Sequence, residues 1–304
     1  MKAHLKLLSK DIKKNYSAYL LVLPVILFYA YFSYVPMYGA VIAFKDYSPA
    51  LGIVKSPFVG LEHFRNFFSS VYFLRVLKNT INISLTGLLF GFPAPIILAL
   101  LISELTKKWF ARTVQTITYL PHFISLVVIC GMISQFTTTG GIIQNIYAAV
   151  TGNTISMLND PKLFVPIYVV SGIWQEVGWG SIIYLAALSA VDHELYEAAT
   201  IDGAGRLKQI FAITLPSIMP TIVTLFILRL GSALNVGHEK IILLYNPMTY
   251  ETSDVISSFV YRAGLQSFKY DYATAVGLFN SVINFAIVLS ANYMSKKINN
   301  TSLW

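Results

Sequence analysis

Charge is the first thing this 304-residue chain lacks: acidic and basic side chains make up only 12% of it, against roughly 25% in ordinary soluble domains. A surface facing water cannot be built from so few charges, which excludes a soluble globular domain. Cysteine is nearly absent as well. The single Cys130 lies inside an apolar run, so neither an intrachain disulfide nor a cysteine-based metal site is possible. A G-x-x-x-x-G-K-[ST] phosphate loop is also missing. The nearest stretch, "GSALNVGHEK" at 231–240, has the wrong spacing and no Lys-Ser/Thr pair, and the "GAG" at 203–205 follows no strand. The chain is therefore not expected to hydrolyse ATP or to bind a dinucleotide. The apolar run from Tyr16 to about Val35 follows a basic start but has no small-x-small cleavage site, so it is expected to stay attached as a spanning helix. Leu5, Leu8 and Ile12 recur at helical spacing just before it, which predicts an interfacial helix along the headgroups.

Apolar sequence is plentiful, at 56% with 14% aromatic. About 20 mostly apolar residues cross a hydrocarbon core, and six stretches qualify: about 17–35, 79–102, 114–135, 164–189, 210–230 and 273–293. They predict an all-α membrane protein, with one spanning domain over 17–304 after a short segment at 1–16. The net charge of +8 is spread over short connections rather than gathered on one face, which argues for membrane orientation and against nucleic acid. With the amino terminus inside, the inner connections hold 12 Lys and Arg in 58 residues and the outer ones 9 in 113. By the positive-inside rule, both termini and the connection before the fifth span are expected to be cytoplasmic.

That connection is the most informative part of the chain. In "LYEAATIDGAGRLKQIFAITLP" (195–216), Asp192 can cap a helix on which Leu195, Ala198, Ala199 and Asp202 share one face. Gly203 and Gly205 can then turn the chain with positive φ. A second helical pattern through Leu207, Ile210 and Phe211 runs into the fifth span. The product is a small, shallow knob standing on a transmembrane helix.

Its spacing carries more. Glu197-Ala198-Ala199, three residues, Gly203, nine residues, Ile213, one residue, Leu215-Pro216 resembles the EAA loop (here 192–216) of permease subunits of binding-protein-dependent ABC importers. "FKDYSPALGIVKSPFVGLEHFRNFF" (44–68), the "DGAG" at 202–205, the stretch 228–265, "TAVGLFNSVINF" (274–285) and the terminal "SLW" are similar to the polysaccharide and complex-oligosaccharide branch of carbohydrate permeases. The resemblance implies a six-helix type I importer permease in the bacterial cytoplasmic membrane. It implies a second, homologous permease, two cytoplasmic ATPases that bind the ATP and magnesium, an extracellular solute-binding protein and an oligosaccharide cargo. It implies no cofactor for this chain. By residue-for-residue match it also makes Glu197, Ala198, Ala199 and Gly203, with Asp202, Ile213, Leu215 and Pro216, the elements that couple to the ATPase.

Other constellations are weaker. "HELYE" at 193–197 has Glu197 where a zincin needs a second His, and the remaining histidines are dispersed, so neither a metal site nor an intramembrane enzyme is expected. Gln175 and Glu176, bracketed by Trp174 and Trp179, sit inside the fourth span, where a carboxylate is costly and faces a cavity or a partner helix. They read equally as sugar-pathway groups and as packing groups. Arg229 reads first as a snorkelling side chain and second as a substrate contact. Asn280 and Asn284 share a face of the sixth span and read first as helix glue and second as a sugar contact. The outer loops 36–78 and 231–272 are expected to fold over the cavity mouth and receive the binding protein. The competing function is an ion-coupled secondary transporter with Glu176 as the coupling carboxylate, and a third possibility is a non-transporting scaffold.

Overall fold

The computed structural model describes residues 14–299, and every regular element among them is helical. The expected interfacial helix of Leu5, Leu8 and Ile12 and the terminal Ser302-Leu303-Trp304 lie outside the described residues. Five stretches are long and apolar enough to cross a membrane: Tyr16–Phe44, Phe73–Ser103, Leu126–Thr151, Arg206–Gly231 and Tyr270–Lys297. The predicted fourth span is a single helix, Pro161–Ser189. At about 1.5 Å per residue it reaches roughly 43 Å, ample for a bilayer, but Gln175, Glu176 and its glycines and serines leave it less apolar than the other five.

The predicted third span, 114–135, is not one helix. It divides into Lys108–Tyr119, a 3-10 turn Leu120–Phe123, and Leu126–Thr137. Pro121 brings no N–H to the ladder, Ile124 is extended, and Ser125 Oγ accepts from the Val128 N–H to start the next helix. The apolar stretch beyond continues past a turn at Gly140, where φ is +85°, into a further helix, Ile142–Thr151.

Pro161–Ser189 is the central strut. Asp160 caps it by accepting from Lys162 N–H at 2.9 Å, and Pro161 sits at its first position, where a missing N–H does no harm. It packs against Phe73–Gly91, Pro93–Ser103, Lys108–Tyr119 and Leu215–Gly231. At Gly178 the Thr118–Tyr119 backbone comes so close that a Cβ would run into the Thr118 carbonyl. Only glycine fits this crossing.

The outer loops are structured rather than loose. Glu62–Phe68 brings Phe67 into a wholly buried cluster with Val76, Ile256 and Val276, flanked by Phe73, Phe259 and Phe279. Residues 232–269 fold into short helices, and His238–Leu244 places Ile241 and Leu244 in the main core with Ile129, Phe164 and Val169. A fully buried carboxylate ties this loop to the second span. Asp254 accepts from Arg262 at 2.7 Å on each oxygen, from Arg75 at 2.9 Å and from Ser258 at 2.9 Å. Asn79 Nδ2 donates to the Glu251 and Asp254 carbonyls, each at 2.9 Å. The opposite case is the first span, where Ala43 is the only buried residue between Tyr16 and Phe44.

Candidate functional site

The knob forms as its sequence requires. Asp192 Oδ1 accepts from Glu194 N–H at 3.0 Å and opens the helix His193–Ile201. Asp202 is its C-cap rather than a member of its face, and Gly203 follows at φ +76°, the left-handed value expected. Gly205 departs from expectation: its φ of −69° is ordinary extended backbone that opens the next helical turn, Arg206–Gln209. Glu197, Ala198, Asp202, Gly203 and Pro216 are exposed, and Ala199, Ile213 and Leu215 half-buried. Leu195, Ile201, Leu207 and Phe211 also face outward, with Ile201 87% accessible.

What roots the knob is a set of side chains that the motif does not include. Tyr196 Oη and Thr214 Oγ1 are 3.0 Å apart, and Gln209 Nε2 donates to Thr200 Oγ1 and to the Ala204 carbonyl, each at 3.0 Å. Thr214 ends a π-helical turn, Ile210–Thr214, that passes directly into Leu215–Gly231. Arg206 approaches Glu104 at 3.8 Å, but both are too exposed for this pair to add much. The knob is thus hydrogen-bonded to the base of the span.

The second site is a cavity of about 490 Å³ against the central strut, within the range of small-molecule sites. Of the residues singled out in the sequence, Gln175, Glu176, Trp179 and Arg229 line it. Trp174 does not, and lies half out of the surface instead. Asn280 and Asn284 are also absent from its walls. Both Nδ2 groups donate to Asn235 Oδ1, at 3.1 and 3.0 Å, while Asn284 Oδ1 accepts from Leu234 N–H at 3.1 Å. Of their two readings, the structure supports glue, here between the sixth span and the loop after the fifth.

Glu176 is held by His122 Nδ1 at 2.9 Å, and that imidazole stacks on Trp179 with ring centres 4.4 Å apart. The wall gains Tyr168 and Lys240, which the sequence did not single out. Lys240 is 7% accessible. Its Nζ donates to the Tyr168 carbonyl at 3.0 Å and lies 4.8 Å from that ring's centre. Burial pushes the Lys240 ammonium down to about 8, against smaller raising influences from Cys130 and Glu176. The only local signal for Lys240 is a lysine at the start of the apolar run "KIILL". Among the described residues no cluster of His, Cys, Asp and Glu is arranged to hold a metal ion.

An all-helical spanning bundle with an exposed knob at the foot of one span and, beside that span, a largely apolar cavity carrying a few polar and charged side chains has the anatomy of an importer permease, and residues 91–300 match the family described as binding-protein-dependent transport system inner membrane component. The chain belongs to this family. Among its relatives, Protein LplB of Bacillus subtilis (strain 168) is 44% identical, over 96% of this chain and 92% of that protein. The polygalacturonan/rhamnogalacturonan transport system permease protein YteP of the same organism is 42% identical, over 98% and 93%. A solved bacterial ABC transporter involved in the import of the acidic polysaccharide alginate contains a chain 47% identical with a TM-score of 0.89, over 96% of this chain and 99% of that one. The alginate transporter in complex with alginate pentasaccharide-bound periplasmic protein gives 46% and 0.89, over 97% and 99%. The fold is that of a type I ABC importer permease, and this inner membrane component is a transport subunit. None of these relatives lends support to the ion-coupled alternative.

Proposed function

We propose that this chain is one permease of an ATP-driven importer and carries an oligosaccharide or polysaccharide fragment inward. A solute-binding protein delivers the fragment on the outer side. A second, homologous permease completes the pathway, and two ATPases, which hold the ATP and magnesium, dock on the inner side. The chain has no phosphate loop and takes its energy through the knob, with both termini and the knob cytoplasmic, as the basic residues favour. Glu197, Ala198, Ala199, Asp202 and Gly203 form the docking surface. Ile213, Leu215 and Pro216 pass the motion into the span.

The observation that carries this reading is the EAA spacing on an exposed helix bonded through Tyr196 and Gln209 to the base of the span. A ligand can only shift an equilibrium by its differential affinity for the two states. Here the ATPase dimer, closed on ATP or open after hydrolysis, grips the knob in two positions and so favours two orientations of the cavity. Gln175, Glu176, Trp179 and Arg229 line the path of the sugar.

In the reconstituted complex, Glu197→Lys or Gly203→Pro is expected to leave membrane insertion intact and abolish substrate-stimulated ATP turnover. Uptake at the unmodified rate in either variant would refute the docking role.

A further inference from the structure

The cavity carries one more positive charge than its own carboxylate balances. Arg229 and Lys240 line it, and the only carboxylate in its wall is Glu176, which is already bonded to His122. Among the described residues, neither Arg229 nor Lys240 comes within ion-pair distance of any carboxylate. The Lys240 ammonium makes a single hydrogen bond, to the Tyr168 carbonyl. Gly172 provides the notch for it, since a Cβ there would stand 3.3 Å from Nζ. A cation buried without an anion is costly, and structures rarely keep one without a counter-charge. Elsewhere the chain does give its half-buried cations an anion: Arg75 and Arg262 both contact the Asp254 carboxylate.

Resting on the saccharide-import reading, the geometry points to Lys240, with Arg229, as the pair that selects a carboxylated sugar: the cargo is a uronic-acid oligosaccharide whose carboxylate supplies the missing anion. A charge-assisted bond from an ammonium or guanidinium to a carboxylate is about twice as strong as a neutral one. A neutral sugar leaves the cation uncompensated and is disfavoured for that reason. Tyr168, Tyr184 and Phe92 in the same wall give apolar faces for the ring carbons. Glu176, the one carboxylate in that wall, is already bonded to His122. Lys240 is thus a specificity-determining residue, and Gly172 a positioning residue that makes room for it.

The test uses the whole complex, both permeases with their ATPases, in nanodiscs and without binding protein, so that only the membrane cavity discriminates. It is titrated with tetragalacturonate and with the methyl ester of the same tetrasaccharide, which differ in charge and little else. The acid is expected to bind at least tenfold more tightly. Lys240→Met should reduce that ratio below threefold, and Lys240→Arg should retain most of it. Equal affinity for acid and ester in the unmodified complex overturns this inference and leaves the saccharide pathway standing. A preference that survives both Lys240→Met and Arg229→Gln overturns it as well. Failure of both glycans to bind brings down the pathway reading together with it. The ratio in the unmodified complex decides even where a variant fails to fold.

Discussion

The two ends of the span Arg206–Gly231 are built on opposite rules. At its start, the knob leaves Leu195, Ile201, Leu207 and Phe211 uncovered and is rooted by a few neutral hydrogen bonds near the surface. Beyond its far end, Asp254 is completely buried, both oxygens are saturated, and the two arginines that bind it come from segments far apart in the chain. One end is complete in itself. The other leaves apolar side chains and a small-residue face uncovered. Rigidity at the first and exposure at the second suit a subunit that is driven from one side.

The sharpest way to break this comparison is at Asp254. Removing one partner from a buried ion network leaves the others charged and unpaired, which costs about 3–5 kcal/mol. Asp254→Ala is therefore expected to lower the unfolding temperature in detergent micelles more than any substitution in the knob. A loss no greater than that of a surface carboxylate would show that the loop is not bolted to the second span. Between the two ends, Gly178→Ala forces a methyl group against the Thr118 carbonyl. A backbone that has to shift for a methyl costs roughly 1–3 kcal/mol, read as a smaller fall in the same melt, and an unchanged melt would mean that the crossing is looser than drawn.

The smallest effect belongs to the knob. Tyr196→Phe deletes one hydrogen bond worth about 0.5–1.5 kcal/mol and should barely alter the melt. If the knob transmits motion through that bond, ATP turnover will nonetheless become less well coupled to uptake, seen as more ATP hydrolysed per sugar carried. Coupling as tight as in the unmodified complex would assign transmission to Gln209 and the π-helical turn alone.

Much of this was legible in the sequence because it is local. Asp192 capping, the left-handed Gly203 and the exposed small-residue face follow from neighbours within a turn or two of helix. Gly205 departs from the positive φ its type allows because two glycines in one turn compete for a single left-handed position, which Gly203 takes. The break at Pro121 was written in the chain but masked by the apolar residues on either side, and a hydropathy window averages across it. Lys240 is illegible in the sequence for a different reason: a lysine in an outer loop is ordinarily solvated, and only the folding of 232–269 back against Tyr168 takes it out of water.

The sequence by itself determined the class of the molecule and the location of its knob, since these depend on hydropathy and on spacings within one segment. Only the tertiary structure decided that Asn280 and Asn284 act as glue, that Glu176 belongs to His122, that Asp254 binds Arg75 across 179 residues, and that two cations share one cavity wall. Each of those pairings joins residues on different elements. Their meeting is fixed by how the helices cross, at contacts such as Gly178 on Thr118, and no periodicity along a single strand of sequence records it.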